Sequence, residues 1–166
     1  MLKIRNIRLT VALTATALAA TGISLGTAGA AQAAAADCSV INIGSPGTIY
    51  SGTTEVGQVE QQYEVCGGVD YARAHYQWAS GFASKNPNQY VNVFVDSSNY
   101  SQQGEGGGYA SGSPDVWTNW VNIHSASPDT WQASANTSLG GGNCYAYGSW
   151  HAYANGANSG NSDGHC

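Results

Sequence analysis

Residues 58–78 read Q-V-E-Q-Q-Y-E-V-C-G-G-V-D-Y-A-R-A-H-Y-Q-W, two alternating runs hinged on Gly67-Gly68. In the first run Val59, Tyr63 and Val65 share a face, and Glu60 and Glu64 lie opposite. In the second, Ala72, Ala74, Tyr76 and Trp78 oppose Tyr71, Arg73, His75 and Gln77. A strand sends successive side chains to opposite faces, and a glycine pair supplies the positive φ of a tight hairpin turn. The segment predicts an antiparallel strand pair with one apolar face.

The pattern recurs along the chain. Val91, Val93 and Val95 alternate with Tyr90, Asn92, Phe94 and Asp96. Trp117, Val121 and Ile123 alternate with Thr118, Trp120, Asn122 and His124. In 144–153, Trp150 and small residues oppose Tyr145, Tyr147, His151 and Tyr153. Weaker strands are expected over 40–43, 48–56 and 130–135. Turn signals separate the runs: Asn86-Pro87-Asn88, Ser113-Pro114-Asp115, Ser127-Pro128-Asp129 and Gly140-Gly141-Gly142. Helix signals are nearly absent, and Leu139 is the one leucine after residue 33. Seven or eight short strands of this kind predict an all-β domain, a small antiparallel β-sandwich or, as the alternative, a small barrel. The polar, Gly-rich segment 97–113 is expected to be a long loop.

The first 33 residues have a different character. Lys3, Arg5 and Arg8 precede an apolar stretch from Leu9 to Leu25, and Ala31-Gln32-Ala33 fits a cleavage site. This is the layout of a cleaved signal peptide, so a secreted, extracellular domain is expected over 34–166, with no membrane span after cleavage. There Arg73 and Lys85 stand against ten acids, a net charge of −8. Nucleic acid and anionic membranes require clustered cations and are not expected as partners.

Cys38, Cys66, Cys144 and Cys166 all follow the signal. An even count in an exported chain predicts two disulfides. Three pairings are possible, and the one expected is Cys38–Cys66 with Cys144–Cys166, which ties each terminus to a nearby strand. Loops of that size stabilise by roughly 3 kcal/mol each in the chain-entropy account. No C-x-x-C spacing points to redox chemistry or zinc, and no metal site is expected. Residues 159–164, S-G-N-S-D-G, partly match the start of a calcium loop and would place an ion at Asn161 and Asp163. The first position is Ser159 rather than Asp, and ordinary turn residues explain the same letters, so no cofactor is expected.

The segment V-E-Q-Q-Y-E-V-C, Val59 to Cys66, followed by Tyr71-Ala72-Arg73, resembles a strand pair in a family of small secreted proteins of unknown function from actinobacteria and bacilli. Those proteins carry V-E-x-x-Y, a cysteine, then an aromatic-Ala-Arg. Here Tyr71 replaces the usual Trp, and Cys66 sits one place nearer the tyrosine. The resemblance covers 59–73 and implies an exported β domain, with no activity to carry over.

Catalytic signatures are missing from the sequence. His75, His124, His151 and His165 each stand alone, and no G-x-S-x-G elbow or H-E-x-x-H helix occurs. Glu55, Glu60, Glu64, Asp96 and Glu105 could pair for glycoside hydrolysis, as acids in any exported domain could. A small hydrolase is the third expectation, with no catalytic residues assigned. Five Trp and ten Tyr exceed what so small a core needs. Tyr63, Tyr76, Trp78, Trp117 and Trp150 read as core. Tyr71, Tyr90, Phe94, Trp120, Tyr145, Tyr147 and Tyr153 fall on the polar faces. Outward aromatics stack on sugar rings or anchor protein interfaces. The first expectation is a non-catalytic module binding an extracellular polysaccharide or cell-envelope glycan, with Trp120, Asn122, Tyr145, Tyr147, Tyr90 and Tyr71 as ligand-binding residues. The second is a protein-interaction module for another secreted protein, either an inhibitor or an adaptor in a secreted assembly such as an antibacterial toxin particle.

Overall fold

The computed structural model describes residues 38–160 and 162–166. Residues 1–37, with the expected signal and its cleavage site, lie outside these. So do Asn161 and the side chain of Asp163, where the partial match to a calcium loop would place an ion.

Two antiparallel sheets pack face to face. Sheet A contains β1 (Val40–Ser51), β2 (Thr54–Cys66), β3 (Val69–Trp78), β6 (Asp115–Trp117) and β7 (Val121–Asn122). Their order is β1-β2-β3-β6, and β7 follows β6 along the same edge of β3. Sheet B contains β4 (Tyr90–Ser97), β5 (Gly104–Tyr109), β8 (Thr130–Leu139), β9 (Gly142–Tyr147), β10 (Trp150–Ala152), β11 (Ala157–Ser159) and β12 (Asp163–His165). β8 is central, with β4 and then β5 on one side. On its other side β9 and β10 run end to end, carrying β12 and β11 beyond them. One turn of α-helix, Ser80–Ala83, and a 3-10 turn, Ile123–Ser125, interrupt the strands.

Glycine makes the hairpins. Gly67 and Gly68 (φ 63° and 79°) join Cys66 to its partner Val69, and Gly140 and Gly141 (φ 57° and 85°) join Leu139 to Gly142. Two successive residues at positive φ form the turn whose twist matches that of the strands. The inner faces are the apolar ones: Val59, Ala72, Ala74, Tyr76 and Trp78 from sheet A meet Val91, Val93, Val95, Trp131, Ala133 and Ala146 from sheet B. Trp131 is fully buried, and its indole N–H donates to Ile123 O (2.9 Å) and Asp129 Oδ1 (2.8 Å). Burying so large a ring contributes about 3 kcal/mol by transfer, provided the N–H is satisfied, as it is here.

At both margins the sheets come together backbone to backbone. Gly106 of β5 lies against the Trp117 carbonyl, Gly47 of β1 against the Tyr147 backbone, and Gly164 of β12 against the Thr48 carbonyl. None of the three has room for a Cβ. Ser149 N donates to Ser45 O (2.9 Å), and Ser45 N donates to Ser149 Oγ (2.8 Å), which ties the β1 margin to sheet B. The disulfides are Cys38–Cys66 and Cys144–Cys166, the expected pairing. Such bonds suit an oxidising, extracellular setting. No helix among the described residues is long and apolar enough to cross a membrane.

Several expectations are corrected. Trp117 is not core: it is 42% exposed on the outside of sheet A. Trp150 is half-buried on the outside of sheet B, while Tyr153, expected outside, packs inward against Tyr63 and receives a hydrogen bond from Gln61 Nε2 (2.8 Å). The reason is shared. Thr118–Trp120 and Gly148–Ser149 each break a strand and advance the alternation by one residue, which exchanges the faces. Val65 keeps its parity but lies beyond the core and is exposed. The expected strand over 48–56 is divided by a turn at Gly52-Thr53 into the end of β1 and the start of β2, and the expected loop over 97–113 contains β5.

Candidate functional site

The outer face of sheet B carries a groove of about 450 Å³. Cross-strand register builds it in rows. Phe94 of β4 stands beside Ser134 of β8, which stands beside Tyr147 of β9. The next row is Asn92, Asn136 and Tyr145. Trp150 and the turn carrying Tyr100 complete the lining. Tyr145 and Tyr147, two residues apart on one strand, hold their rings within 7° of parallel at 6.4 Å between centroids. The groove is thus aromatic along its sides with amide and hydroxyl groups between.

Asp96 anchors the wall formed by residues 97–103. Its Oδ2 accepts from Ser134 Oγ (2.6 Å), and its Oδ1 accepts from the Gln102 backbone N–H (2.6 Å), with Gln102 at φ 56°. Ser98 N donates to Thr130 O (2.9 Å), Ser97 N donates to Tyr100 O (2.9 Å), and the Asn99 amide bonds the Ser127 carbonyl. The turn that presents Tyr100 is therefore fixed to the sheet at several points. Asn92 Nδ2 donates to Asn136 Oδ1 (3.0 Å), which leaves the Asn136 amide hydrogens unused by that bond. Gln132 Nε2 donates to Gly148 O (2.7 Å), which leaves its own carbonyl oxygen as an acceptor in the groove. Partial burial, then the neighbouring Tyr145 and Asp96, hold the Tyr147 hydroxyl above the usual tyrosine range, so it stays a neutral donor.

The six residues expected to bind ligand divide between the two faces. Tyr145 and Tyr147 line the groove, and Tyr90 lies on the same face, paired with Tyr109 at 4.8 Å and 68°. Tyr71, Trp120 and Asn122 belong to sheet A. Tyr71 and Asn122 are cross-strand partners, and the Asn122 side chain accepts from His124 N (2.9 Å), capping a short 3-10 turn. The Trp120 ring covers the Arg73 guanidinium at 4.3 Å. The sequence reading missed Trp150, Tyr100 and Gln132 as lining; Trp150 was hidden by the slip at Gly148–Ser149.

Sheet A's outer face is a closed polar network. His75 Nδ1 lies 2.8 Å from Glu60 Oε1, and its Nε2 lies 2.8 Å from Asp115 Oδ1. Asn42 Nδ2 donates to Glu60 Oε2 (2.8 Å), Arg73 Nε to Gln62 Oε1 (2.8 Å), and Gln77 Nε2 to Asp115 Oδ1 (3.1 Å). Trp117 stacks on the His75 ring at 5.2 Å and 8°. At one end of the sandwich His124 bridges Asp70 (3.1 Å) and Asp129 (2.8 Å). No group of three or more His, Cys, Asp or Glu among the described residues is placed to hold a metal ion. Comparison with family models, curated proteins and solved structures gives no match to this chain.

Proposed function

We propose that this protein is an exported, non-catalytic module that binds a polysaccharide or cell-envelope glycan in the groove on sheet B. One observation carries the reading: Phe94, Tyr145, Tyr147 and Trp150 surround a floor that offers both donors and acceptors. Sugar rings present C–H faces that stack on flat aromatics and hydroxyls that need both kinds of partner, which is the combination Asn136 and Gln132 supply. A protein-interaction role would use the other face, where Trp117 stands exposed beside Arg73.

The test is retention of the oxidised protein on insoluble cellulose, xylan, chitin and bacterial cell wall, with elution by soluble fragments of whichever holds it. Tyr147→Ala should abolish retention while leaving the thermal midpoint within a few degrees. Retention on none of these materials would overturn the glycan reading and leave the adaptor or inhibitor alternative.

A further inference from the structure

The groove occupies only part of its face. From the Phe94–Ser134–Tyr147 row toward the start of β4, the next row is Asn92, Asn136 and Tyr145, and β5 contributes Gly107 beside Asn92. Gly107 has no side chain, and the Tyr90 ring lies over it. Beyond stand Tyr90 and Tyr109, 39% and 57% exposed, set edge to face. Phe94 and Tyr90 are four steps apart along β4, a rise of about 13 Å. A half-buried aromatic cluster at the groove and an exposed one at Tyr90 and Tyr109 thus flank a low polar floor along one strand direction.

The charge on this face is one-sided. Asp96 lies in the groove and Glu105 is the cross-strand neighbour of Phe94. Arg73 belongs to sheet A, and Lys85 lies outside the strands of either sheet. With a net charge of −8 after residue 33, the face repels polyanions and offers them no counter-ion.

We infer that the outer face of sheet B is a track for an extended, uncharged polysaccharide, with Tyr90 and Tyr109 as a second contact point beyond the groove. This rests on the glycan reading of the groove. A mono- or disaccharide fills the groove without reaching Tyr90, whereas a longer chain crosses the Asn92–Asn136 floor and stacks on the tyrosine pair. Linked contacts on one ligand raise its apparent affinity when the spacer spans both sites.

Calorimetric titration of the oxidised protein with cello-, xylo- and chito-oligosaccharides from disaccharide to octasaccharide, and with polygalacturonate, tests this. In the series that binds, affinity should climb with length after the groove is filled. The double variant Tyr90→Ala/Tyr109→Ala should lose about tenfold for the longest oligomer and nothing for the shortest. Equal loss at every length, or none at any, would overturn the track while leaving the groove reading intact. Unchanged binding by Tyr147→Ala would overturn the groove reading itself. Binding of neither the neutral series nor polygalacturonate overturns both, and tight binding of polygalacturonate with no neutral series bound overturns the uncharged ligand alone.

Discussion

On the outside of sheet A, Glu60, Gln62, Arg73, His75 and Asp115 direct their polar atoms at one another; on the outside of sheet B, Asn136, Gln132 and Tyr147 border open space. Both faces are rich in aromatic and polar residues, so composition does not separate them. What separates them is whether each donor already has an acceptor. An interlinked network of this kind gains little from a ligand, because a new bond to Glu60, His75 or Asp115 replaces an existing one. Half-engaged amides beside rings that line a groove gain from contact. The two faces therefore predict opposite responses to mutation, stability on A and binding on B.

The largest effect expected on sheet A is from His75→Ala. It strips partners from Glu60 and Asp115 and removes the ring under Trp117, which should cost about 1–3 kcal/mol of unfolding free energy. Denaturant titration measures the loss, and glycan retention should not change. If His75→Ala weakened retention at constant stability, the division between the faces would fail. Trp120→Ala comes next. It removes the ring covering Arg73, worth about 0.5–1 kcal/mol at a partly exposed site, and should leave binding intact. Loss of binding in this variant would move the ligand to sheet A.

The smallest effect concerns neither face but the end of the sandwich. The Asp70 hydrogen bond, with help from Asp129, holds His124 above the usual histidine range, and hydrogen bonds from Tyr63 and His124 hold Asp70 below the usual carboxylate range. His124 contributes stability that is complete below its unfolded value and fades as pH rises through the higher folded one. Asp70 contributes stability that is complete above its unfolded value and fades as pH falls through the lower folded one. Both operate fully between about pH 4 and pH 6.5. Subtracting the melting profile of Asp70→Asn from that of the wild type should leave a shallow maximum there. A difference that is flat from acid to neutral pH would show the pair to be inert, and the exposure of His124 keeps the expected maximum small.

Much of this architecture can be read from the residues. The valine alternation of β4, the hairpin at Gly67-Gly68 and the turn at Gly140-Gly141 follow from periodicity and glycine chemistry. The facing of Phe94, Tyr145 and Tyr147 followed too, because no break lies inside their strands. Errors arose wherever a strand is interrupted. Counting by twos through Thr118–Trp120 and Gly148–Ser149 placed Trp117 and Trp150 in the core and Tyr153 outside. β5 escaped notice because its inward positions are Gly104, Gly106 and Gly108, which carry no hydrophobic signal. Whether the outward aromatics gather into one patch depends on strand order, which long-range pairing sets and local sequence does not encode. The sequence therefore offers six outward ligand residues without dividing them, although Tyr71, Trp120 and Asn122 stand on the opposite side of the molecule from Tyr145 and Tyr147.

The glycine seams at the two margins bear on how this fold could be re-engineered. At Gly47, Gly106 and Gly164 a hydrogen atom is the largest substituent that fits, so these positions are closed to variation in any functional library. The Gly47 seam rests on the backbone of Tyr147 and not on its ring, and the side chains of Phe94, Asn136, Tyr145 and Tyr147 point away from the layer that holds the sheets together. Randomising them while freezing the margins would make the domain a scaffold whose recognition surface can be rewritten without renegotiating its folding.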